Sequence, residues 1–356
     1  MRPLAPGEVR KIETIQWHEG KVRLIDQTRL PAKSIYLEYS NYKDVAKAIK
    51  DMRIRGAPAL GVATAFGIAL GVKGSENHTY QELAQEVGKM VKIFRDTRPT
   101  TVNISWAGKR MMKKLAESKA EEVVKIKEAL IEEALAISRE DVEKNAKIGK
   151  VGASLIKDGA KILTHCNAGA LATAGHGTAL GVIKTAHREG KRVEVLVDET
   201  RPRLQGARLT CWELKREKIP FTLITDSMAG HFMYRKAIDL VMVGADRIVA
   251  NGDVANKIGT YTLAVLAKEN LIPFYVVAPT STIDPTLSSG NEIRLEERDP
   301  SEVTCLLGRR IAPRGTRAAN PAFDITPNVY VTAIITERGI AKPPYVESLK
   351  KLLEDS

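Results

Sequence analysis

The hydrophobic residues in the second half of the chain recur in short continuous runs, and each of the first four runs leads into a polar loop and a helical pattern. The runs end at Cys166, Asp198, Asp226 and Asp246, with a further one around Pro279. This alternation predicts parallel strands joined by right-handed crossovers, and the near-continuous Val, Ile and Leu content predicts strands covered on both faces. The expected fold class is α/β, with a Rossmann-like, doubly wound parallel sheet.

The first half has shorter alternating runs, followed by long helical patterns. The runs at residues 21–25 and 34–37 predict a small antiparallel sheet. Helical spacing then dominates, so a smaller, mostly helical N-terminal domain carrying this sheet is expected. The segments with helical spacing are residues 41–50, 57–72, 80–97 and 107–156.

The composition shifts near residue 125, which predicts a boundary between domains at 1–125 and 126–356. No Pro- or Gly-rich linker marks this point. A long helix is therefore expected to cross from the N-terminal domain into the Rossmann-like C-terminal domain.

The segment KILTHCNAGALATAGHG, residues 161–177, joins a short apolar run to a helical pattern. His165, Cys166 and Asn167 stand together where the run stops, and small residues follow. Small side chains let backbone N–H groups reach an anion, and a helix N-terminus adds partial positive charge. A tight turn with a buried thiol explains the same pattern, and both interpretations stay open.

Polar residues at several strand ends become neighbours if the sheet is parallel, because all carboxyl-end loops then lie at one edge. Cys166 and the strand-end acids Asp198, Asp226 and Asp246 are therefore candidates for one site. Acids at strand ends are also common N-caps, and this alternative stays open for Asp198 and Asp226.

The composition narrows the class of ligand. The chain has 356 residues, 44% of them hydrophobic, and Lys plus Arg exceed Asp plus Glu by 12. A basic balance suits a phosphorylated substrate or nucleic acid, but no run of five basic residues occurs, so no nucleic-acid partner is expected. No stretch of 18 apolar residues occurs either, so no membrane span is expected.

The cysteines and histidines form no metal or triad pattern. Cys166, Cys211 and Cys305 are widely spaced, without CxxC spacing, so no metal site is predicted. Their odd, sparse count and the lack of a signal-like N-terminal segment favour the cytoplasm. His165 and His176 have no identifiable carboxylate partner, which predicts a structural role for each.

Several stretches along the chain combine polar strand ends with Gly-rich turns: RGAPALGVATAFG, THCNAGALATAGHGTALGVIKTAH, VDETRPRLQGARLTCWEL, LITDSMAGHFM and VGADRIVANGDVANKIGTYTLAVLAK. Together they resemble the methylthioribose-1-phosphate isomerases, a branch of the initiation-factor-2B-like family, over roughly residues 8 to 345. A match at every motif is far more specific than one glycine-rich loop.

The resemblance implies an aldose–ketose isomerase of methionine salvage that acts on 5-methylthioribose 1-phosphate without metal or nucleotide cofactor, and it implies a homodimer. It assigns Cys166 and Asp246 as the catalytic pair. The positions that match the family's substrate-binding residues are Arg55, Gly56, Ala57, Arg98, Gln205, Asn256 and Lys257. From the residues alone, a solvated turn is an equal alternative for Arg55.

Two alternatives share the expected fold. A ribose 1,5-bisphosphate isomerase would need a second phosphate site where the methylthio group sits. A non-catalytic, regulatory initiation-factor-2B-like subunit would not need both Cys166 and Asp246, which this chain keeps within full motifs. The sequence therefore favours the methylthioribose 1-phosphate branch.

Overall fold

A computed structural model describes residues 12–354, which fall into two units. The N-terminal unit comprises residues 12–146 and 170–177, and the C-terminal unit comprises residues 147–169 and 178–354. The predicted domain boundary at residue 125 lies inside a helix that covers residues 123–153. The prediction that the N-terminal segment is not signal-like rests partly on residues 1–11, which lie outside the described residues.

The N-terminal unit combines an antiparallel sheet with helices, as the patterns predicted. The sheet contains β1 (Ile15–His18), β2 (Lys21–Ile25) and β3 (Tyr36–Tyr39) in that order. The helices are α1 (Tyr42–Lys50), α2 (Ala57–Lys73), α3 (Tyr80–Arg95), α4 (Val102–Glu117) and α5 (Val123–Ala153), which continues beyond the unit.

Helix α2 is the centre of this unit. All of its residues except the last are buried, and a helix that is apolar on every side is expected in a core. Its neighbour α3 begins with a capping box in which Thr79 and Glu82 satisfy each other's backbone N–H groups. Local capping thus sets the helix start, and burial of α2 holds the unit together.

The helical pattern over residues 107–156 corresponds to two helices, α4 and α5, with an interruption that was not predicted. Residues 118–122 form a turn between α4 and α5. The pattern hides this turn because SKAEE consists mainly of helix-compatible residues. Leu115 before the turn and Ile126 after it both enter the core of the N-terminal unit, which favours folding the two helices back on the same core.

The C-terminal unit carries the remaining strands and helices. Its strands are β4 (Ala160–Thr164), β5 (Val193–Asp198), β6 (Phe221–Ile224), β7 (Leu240–Val243), β8 (Arg247–Val249), β9 (Val254–Lys257), β10 (Phe274–Val277), β11 (Ile283–Asp284), β12 (Cys305–Leu306), β13 (Arg309–Arg310), β14 (Phe323–Thr326), β15 (Ala333–Thr336) and β16 (Gly339–Ala341). Its helices are α6 (Ala179–Arg188), α7 (Cys211–Arg216), α8 (Ala229–Tyr234), α9 (Thr260–Glu269), α10 (Ser301–Thr304) and α11 (Tyr345–Glu354).

Within residues 12–354, the central sheet contains seven strands in the order β16-β15-β10-β7-β4-β5-β6. All neighbouring pairs are parallel except β15 and β16. Ile162 packs in a cluster with residues of α6 and α7, whereas Leu163 packs with residues of α8, α9 and α11. Because successive side chains of a strand point to opposite faces, helices cover both faces and the doubly wound fold is confirmed.

A second sheet was not predicted. It has the order β11-β8-β9-β14, and β9 is antiparallel to both of its neighbours. The short strands β8 and β9 contain polar residues and lack the continuous apolar run that marks the central strands. None of the helices within the described range is both long and apolar enough to cross a membrane.

Candidate active site

The strand order creates a switch point between β4 and β7. From β4 the chain proceeds through β5 to β6 on one side, and then returns to β7 on the other side. Loops that leave the carboxyl ends of two such strands diverge, and the crevice between them is the usual ligand site of open α/β sheets. Cys166 follows β4 and Asp246 follows β7, so the two predicted catalytic residues come from neighbouring loops at this crevice.

Close contacts join the two strands and the loops that follow them. The hydroxyl of Thr164 donates a hydrogen bond to the carbonyl of Met242 at 2.8 Å. Beyond the strands, a Cβ built on Gly244 would lie 2.9 Å from the Cβ of Ala168. The chain segments that carry Cys166 and Asp246 are therefore packed against each other.

Cys166 is buried and has a left-handed backbone, with φ 61°. Its N–H donates to the hydroxyl of Thr200 at 2.8 Å, and its carbonyl accepts from the hydroxyl of Thr210 at 2.6 Å. Thr200 is also left-handed, with φ 62°, which is rare for a β-branched residue. Strain of about 1–2 kcal/mol per residue persists where surrounding contacts enforce it, and it clusters at functional sites.

Asp226 provides one of these enforcing contacts. Its two carboxylate oxygens accept the backbone N–H groups of Thr200 at 2.8 Å and Arg201 at 2.7 Å. Of the two alternatives left open for this residue, the structure supports a structural one, although Asp226 caps the loop after β5 rather than its own helix. The contact holds Thr200 in the conformation from which it bonds Cys166.

The second sheet brings Asp246 beside two predicted substrate-binding residues. Asp246 is partly buried, and its N–H donates to the carbonyl of Ala255 at 2.9 Å. The antiparallel register pairs Arg247 with Ala255, which places Asp246 alongside Asn256, and Lys257 follows directly. The proximity of Asp246 to residues 255–257 thus depends on a sheet that the sequence pattern did not predict.

Asn256 and Lys257 are both buried and held by protein groups. The amide of Asn256 donates to the hydroxyl of Thr260 at 3.0 Å. The ammonium of Lys257 donates to the carbonyl of Ala322 at 2.6 Å and lies 4.5 Å from the ring centre of Phe323. These contacts hold the charged ammonium group of Lys257 in place.

Gln205 lies between β5 and α7, directly before a π-helix at Gly206–Thr210, and is only 3% exposed. Its Oε1 is buried and has no hydrogen-bond partner among the described residues. Buried polar atoms in native structures are nearly always satisfied. An acceptor in this state is a suitable partner for a ligand hydroxyl.

The remaining predicted binding residues lie in the N-terminal unit. Arg55 and Arg98 are buried, at 8% and 6% exposure, and Arg98 donates to the sulfur of Met52 at 2.8 Å. Gly56 precedes α2 with φ 97°, and a Cβ there would collide with Ala172. Ala57 is the first, buried residue of α2. Burial makes a solvated turn the wrong alternative for Arg55. The positive φ and the close approach of Ala172 together explain why position 56 is glycine.

The small-residue loop does not present all of its amides to a ligand. The N–H of Ala174 donates to Asp141 at 2.7 Å. The N–H groups of Gly175 and Gly177 donate to the hydroxyl of Thr173 at 3.1 and 2.9 Å. At these positions the expected anion cradle is replaced by internal hydrogen bonds.

A histidine–carboxylate pair escaped the sequence analysis. Nδ1 of His165 lies 2.9 Å from Oδ2 of Asp198, and its Nε2 lies 2.9 Å from the carbonyl oxygen of Ile258. The register of β4 and β5 pairs Thr164 with Val197, so His165 and Asp198 occupy the next position on each strand. His165 therefore does have a carboxylate partner, contrary to the prediction. Asp198 contacts this histidine and does not cap a helix.

Within the described part of the chain, His165, Asp198 and Asp226 are the group whose donor atoms are close enough to surround a metal ion. Both nitrogens of His165 already face hydrogen-bond partners. Both oxygens of Asp226 accept backbone amides. The arrangement is that of a hydrogen-bonded network.

The fold is that of an α/β protein in which the predicted catalytic residues Cys166 and Asp246 follow two strands at the carboxyl edge of a doubly wound sheet. The chain belongs to the initiation factor 2 subunit family, whose model matches residues 53–343. The family and fold class expected from the sequence are thereby confirmed.

Individual relatives resemble the chain over nearly its whole length. A methylthioribose-1-phosphate isomerase from Pelotomaculum thermopropionicum is 55% identical over 344 residues, which cover 96% of this chain and 94% of that protein. The crystal structure of 5-methylthioribose 1-phosphate isomerase from Pyrococcus horikoshii OT3 has a TM-score of 0.88 and 44% identity, covering 98% of this chain and 100% of that chain.

A third relative carries a different name. The crystal structure titled translation initiation factor eIF-2B, subunit delta, from A. fulgidus has a TM-score of 0.83 and 46% identity, covering 96% of this chain and 99% of that chain. The shared fold therefore does not separate the two functions, and the site residues must do so.

Proposed function

We propose that this chain isomerises 5-methylthioribose 1-phosphate to 5-methylthioribulose 1-phosphate. Near-full-length relatives named for that reaction support the proposal. The observation that carries it is the position of Cys166 and Asp246 after β4 and β7, at the switch point of the central sheet. A regulatory subunit would need neither a thiol nor a carboxyl group at this crevice.

The chemistry requires an acid and a group that manages the hydrogen at C2. The phosphate on the anomeric carbon prevents spontaneous opening to an aldehyde, so the ring oxygen must be protonated as the ring opens. We assign this proton to Asp246, which makes it the general acid. The electron-deficient C1 that results then receives hydrogen from C2.

Two routes for this hydrogen transfer remain. Cys166 can remove the C2 proton to give an enediol-type intermediate; protonation at C1 and transfer of the C2 hydroxyl proton to the ionised Asp246 then give the ketose. Alternatively, hydride moves directly from C2 to C1 in a site that excludes water, Cys166 stabilises charge, and the ionised Asp246 accepts the C2 hydroxyl proton. Both routes yield the same product, and both place Cys166 at the reacting carbons.

We further propose that the buried cations bind the phosphate. Arg55, Arg98 and Lys257 are buried cations, and each carries a charge that attracts a phosphate group. Gln205 is assigned to a sugar hydroxyl because its buried Oε1 lacks a partner within residues 12–354. The further binding assignments are Gly56, Ala57 and Asn256.

We propose in addition that the protein acts in the cytoplasm as a homodimer, that it needs neither a metal nor a nucleotide cofactor, and that it binds no nucleic acid. The sparse, separate cysteines support the compartment, and the dimer rests on family resemblance. Sedimentation of the purified protein tests the dimer, and turnover after chelation and dialysis tests the cofactor claim.

Turnover of two substrates side by side tests the function. The purified protein is offered 5-methylthioribose 1-phosphate and ribose 1,5-bisphosphate in separate reactions, and ketose formation is measured. The proposal predicts turnover of the methylthio sugar and little turnover of the bisphosphate. The reverse preference would identify a bisphosphate isomerase, and turnover of neither would support a regulatory subunit.

A further inference from the structure

The His165–Asp198 pair is enclosed by protein, since both side chains are 1% exposed. A carbonyl oxygen only accepts hydrogen bonds, so Nε2 of His165, which faces the carbonyl of Ile258, must carry a proton. The 2.9 Å contact between Nδ1 and Oδ2 also requires a proton, because two lone pairs at this distance repel. The pair thus carries one proton on Nε2 and one between Nδ1 and Oδ2. Its net charge is zero whether the second proton is bound to the imidazole or to the carboxyl group.

The charged groups around the ring favour this protonation. Burial acts to lower the pKa of His165, but its hydrogen bond to Asp198 and the charges of Asp198 and Asp226 raise it above its ordinary value. Asp324, on β14, also interacts electrostatically with the ring. Carboxyl groups from β5, from the loop after β6 and from β14 therefore surround one histidine.

The pair connects three segments that carry proposed site residues. His165 directly precedes Cys166. The carbonyl of Asp198 accepts from the hydroxyl of Thr200 at 3.1 Å, and that hydroxyl accepts the N–H of Cys166. On the other side of the ring, Ile258 directly follows Lys257.

The turn after Lys257 is shaped around the ring. Gly259 has φ 103°, and a Cβ built there would lie 2.9 Å from Cε1 of His165. A side chain at this position would displace either the ring or the turn. Glycine therefore allows the close approach that brings the carbonyl of Ile258 to Nε2.

We propose that His165 and Asp198 are positioning residues that fix the backbone of Cys166 relative to the turn that carries Lys257. The inference deepens the proposed isomerase function and rests on it. The pair acts through two simultaneous hydrogen bonds and does not exchange protons with the substrate. Its function is to keep the reacting thiol and the phosphate-binding ammonium in one arrangement.

Two substitutions of Asp198 separate positioning from charge. Asp198→Asn preserves both contacts with a neutral ring, because the amide N–H can donate to Nδ1 while Nε2–H still donates to Ile258. Asp198→Ala removes the partner of Nδ1. Misplacing a reacting group by about 1 Å costs roughly 100-fold in rate, so kcat should fall about 100-fold in Asp198→Ala and recover to within tenfold of the wild type in Asp198→Asn.

Proton NMR and amide exchange provide readouts that need no substrate. In the wild type, the proton between Nδ1 of His165 and Oδ2 of Asp198 should give a resonance far downfield that persists at alkaline pH. This resonance should disappear in Asp198→Asn and in His165→Gln. The amide hydrogen of Cys166 should exchange slowly in the wild type and in Asp198→Asn, and much faster in Asp198→Ala.

The outcomes test the positioning role of His165 and Asp198 separately from the proposed isomerase function. Absence of the downfield proton in the wild type, equal loss of kcat in both Asp198 variants, or unchanged kcat in Asp198→Ala would each overturn the positioning role. If the wild type fails to isomerise the sugar phosphate, the proposed function fails. The resonance and the exchange of the Cys166 amide then decide whether the pair fixes this backbone.

Discussion

The hydroxyl of Thr200 is expected to hold Cys166 in place, and Thr200→Val tests this directly. Valine keeps the shape and β-branching of threonine, so the left-handed strain at φ 62° is unchanged. It removes the acceptor of the Cys166 N–H, which lies 2.8 Å away, and the donor to the Asp198 carbonyl. A buried N–H left without an acceptor costs about 1–3 kcal/mol, and unfolding of the C-terminal unit should become easier by that amount.

The matched control is Thr200→Ser, which keeps both hydrogen bonds and removes one methyl group worth roughly 0.8 kcal/mol. Urea unfolding and steady-state kinetics are measured for both variants. Thr200→Val should lower kcat about 10- to 100-fold because the thiol is displaced, whereas Thr200→Ser should stay near the wild type. Equal stability and equal kcat in the two variants would refute the role of the hydroxyl.

Three further predictions follow from single groups. Lys257→Ala should raise KM at least tenfold, about 1.4 kcal/mol of lost binding. The control Lys268→Ala removes an exposed cation near Tyr330 and should leave KM unchanged. Equal KM values in the two variants would contradict the phosphate assignment. Burial raises the pKa of Asp324 to about 6 from an ordinary 3.8, so the folded state binds the carboxyl proton more tightly than the unfolded state does. The free energy of unfolding contributed by Asp324 therefore falls as pH rises between these two values. The melting temperature of Asp324→Asn relative to the wild type should therefore increase from pH 4 to pH 7, and a pH-independent difference would count against this. Substrate deuterated at C2 should lose label to water if Cys166 removes a proton, and should retain it at C1 if hydride moves.

The central sheet was predictable because its strands are continuous apolar runs followed by polar turns, a pattern that local sequence carries. The second sheet was not, because β8 and β9 are short and include polar residues such as Arg247 and Asn256, and because β9 pairs with β14, which is remote in sequence. The turn between α4 and α5 was missed because residues 118–122 are helix-compatible. Tertiary packing overrode local preference there.

The resemblance supplied the candidate site residues, whereas the contacts that these residues make were not predictable from the sequence. The resemblance assigned Cys166 and Asp246, whereas the strand order that makes them follow β4 and β7 is a property of the whole sheet. The pairing of His165 with Asp198 had a usable signal, since both stand at the ends of consecutive strands, which usually lie side by side. The orphan acceptor of Gln205 had none, because hydrogen-bond satisfaction depends on the folded surroundings.

The measurement that tests the central claim most directly is the turnover of 5-methylthioribose 1-phosphate by Asp246→Asn and Cys166→Ser beside the wild type. Asparagine cannot deliver an acid proton, and serine lacks the nucleophilicity and polarisability of sulfur. General acid–base help is worth about 10²- to 10⁴-fold, so each folded variant should lose at least about 100-fold in kcat. A correctly folded variant of either residue that retains more than about a tenth of the wild-type rate, roughly 1.4 kcal/mol of barrier, would contradict the assignment of the catalytic pair.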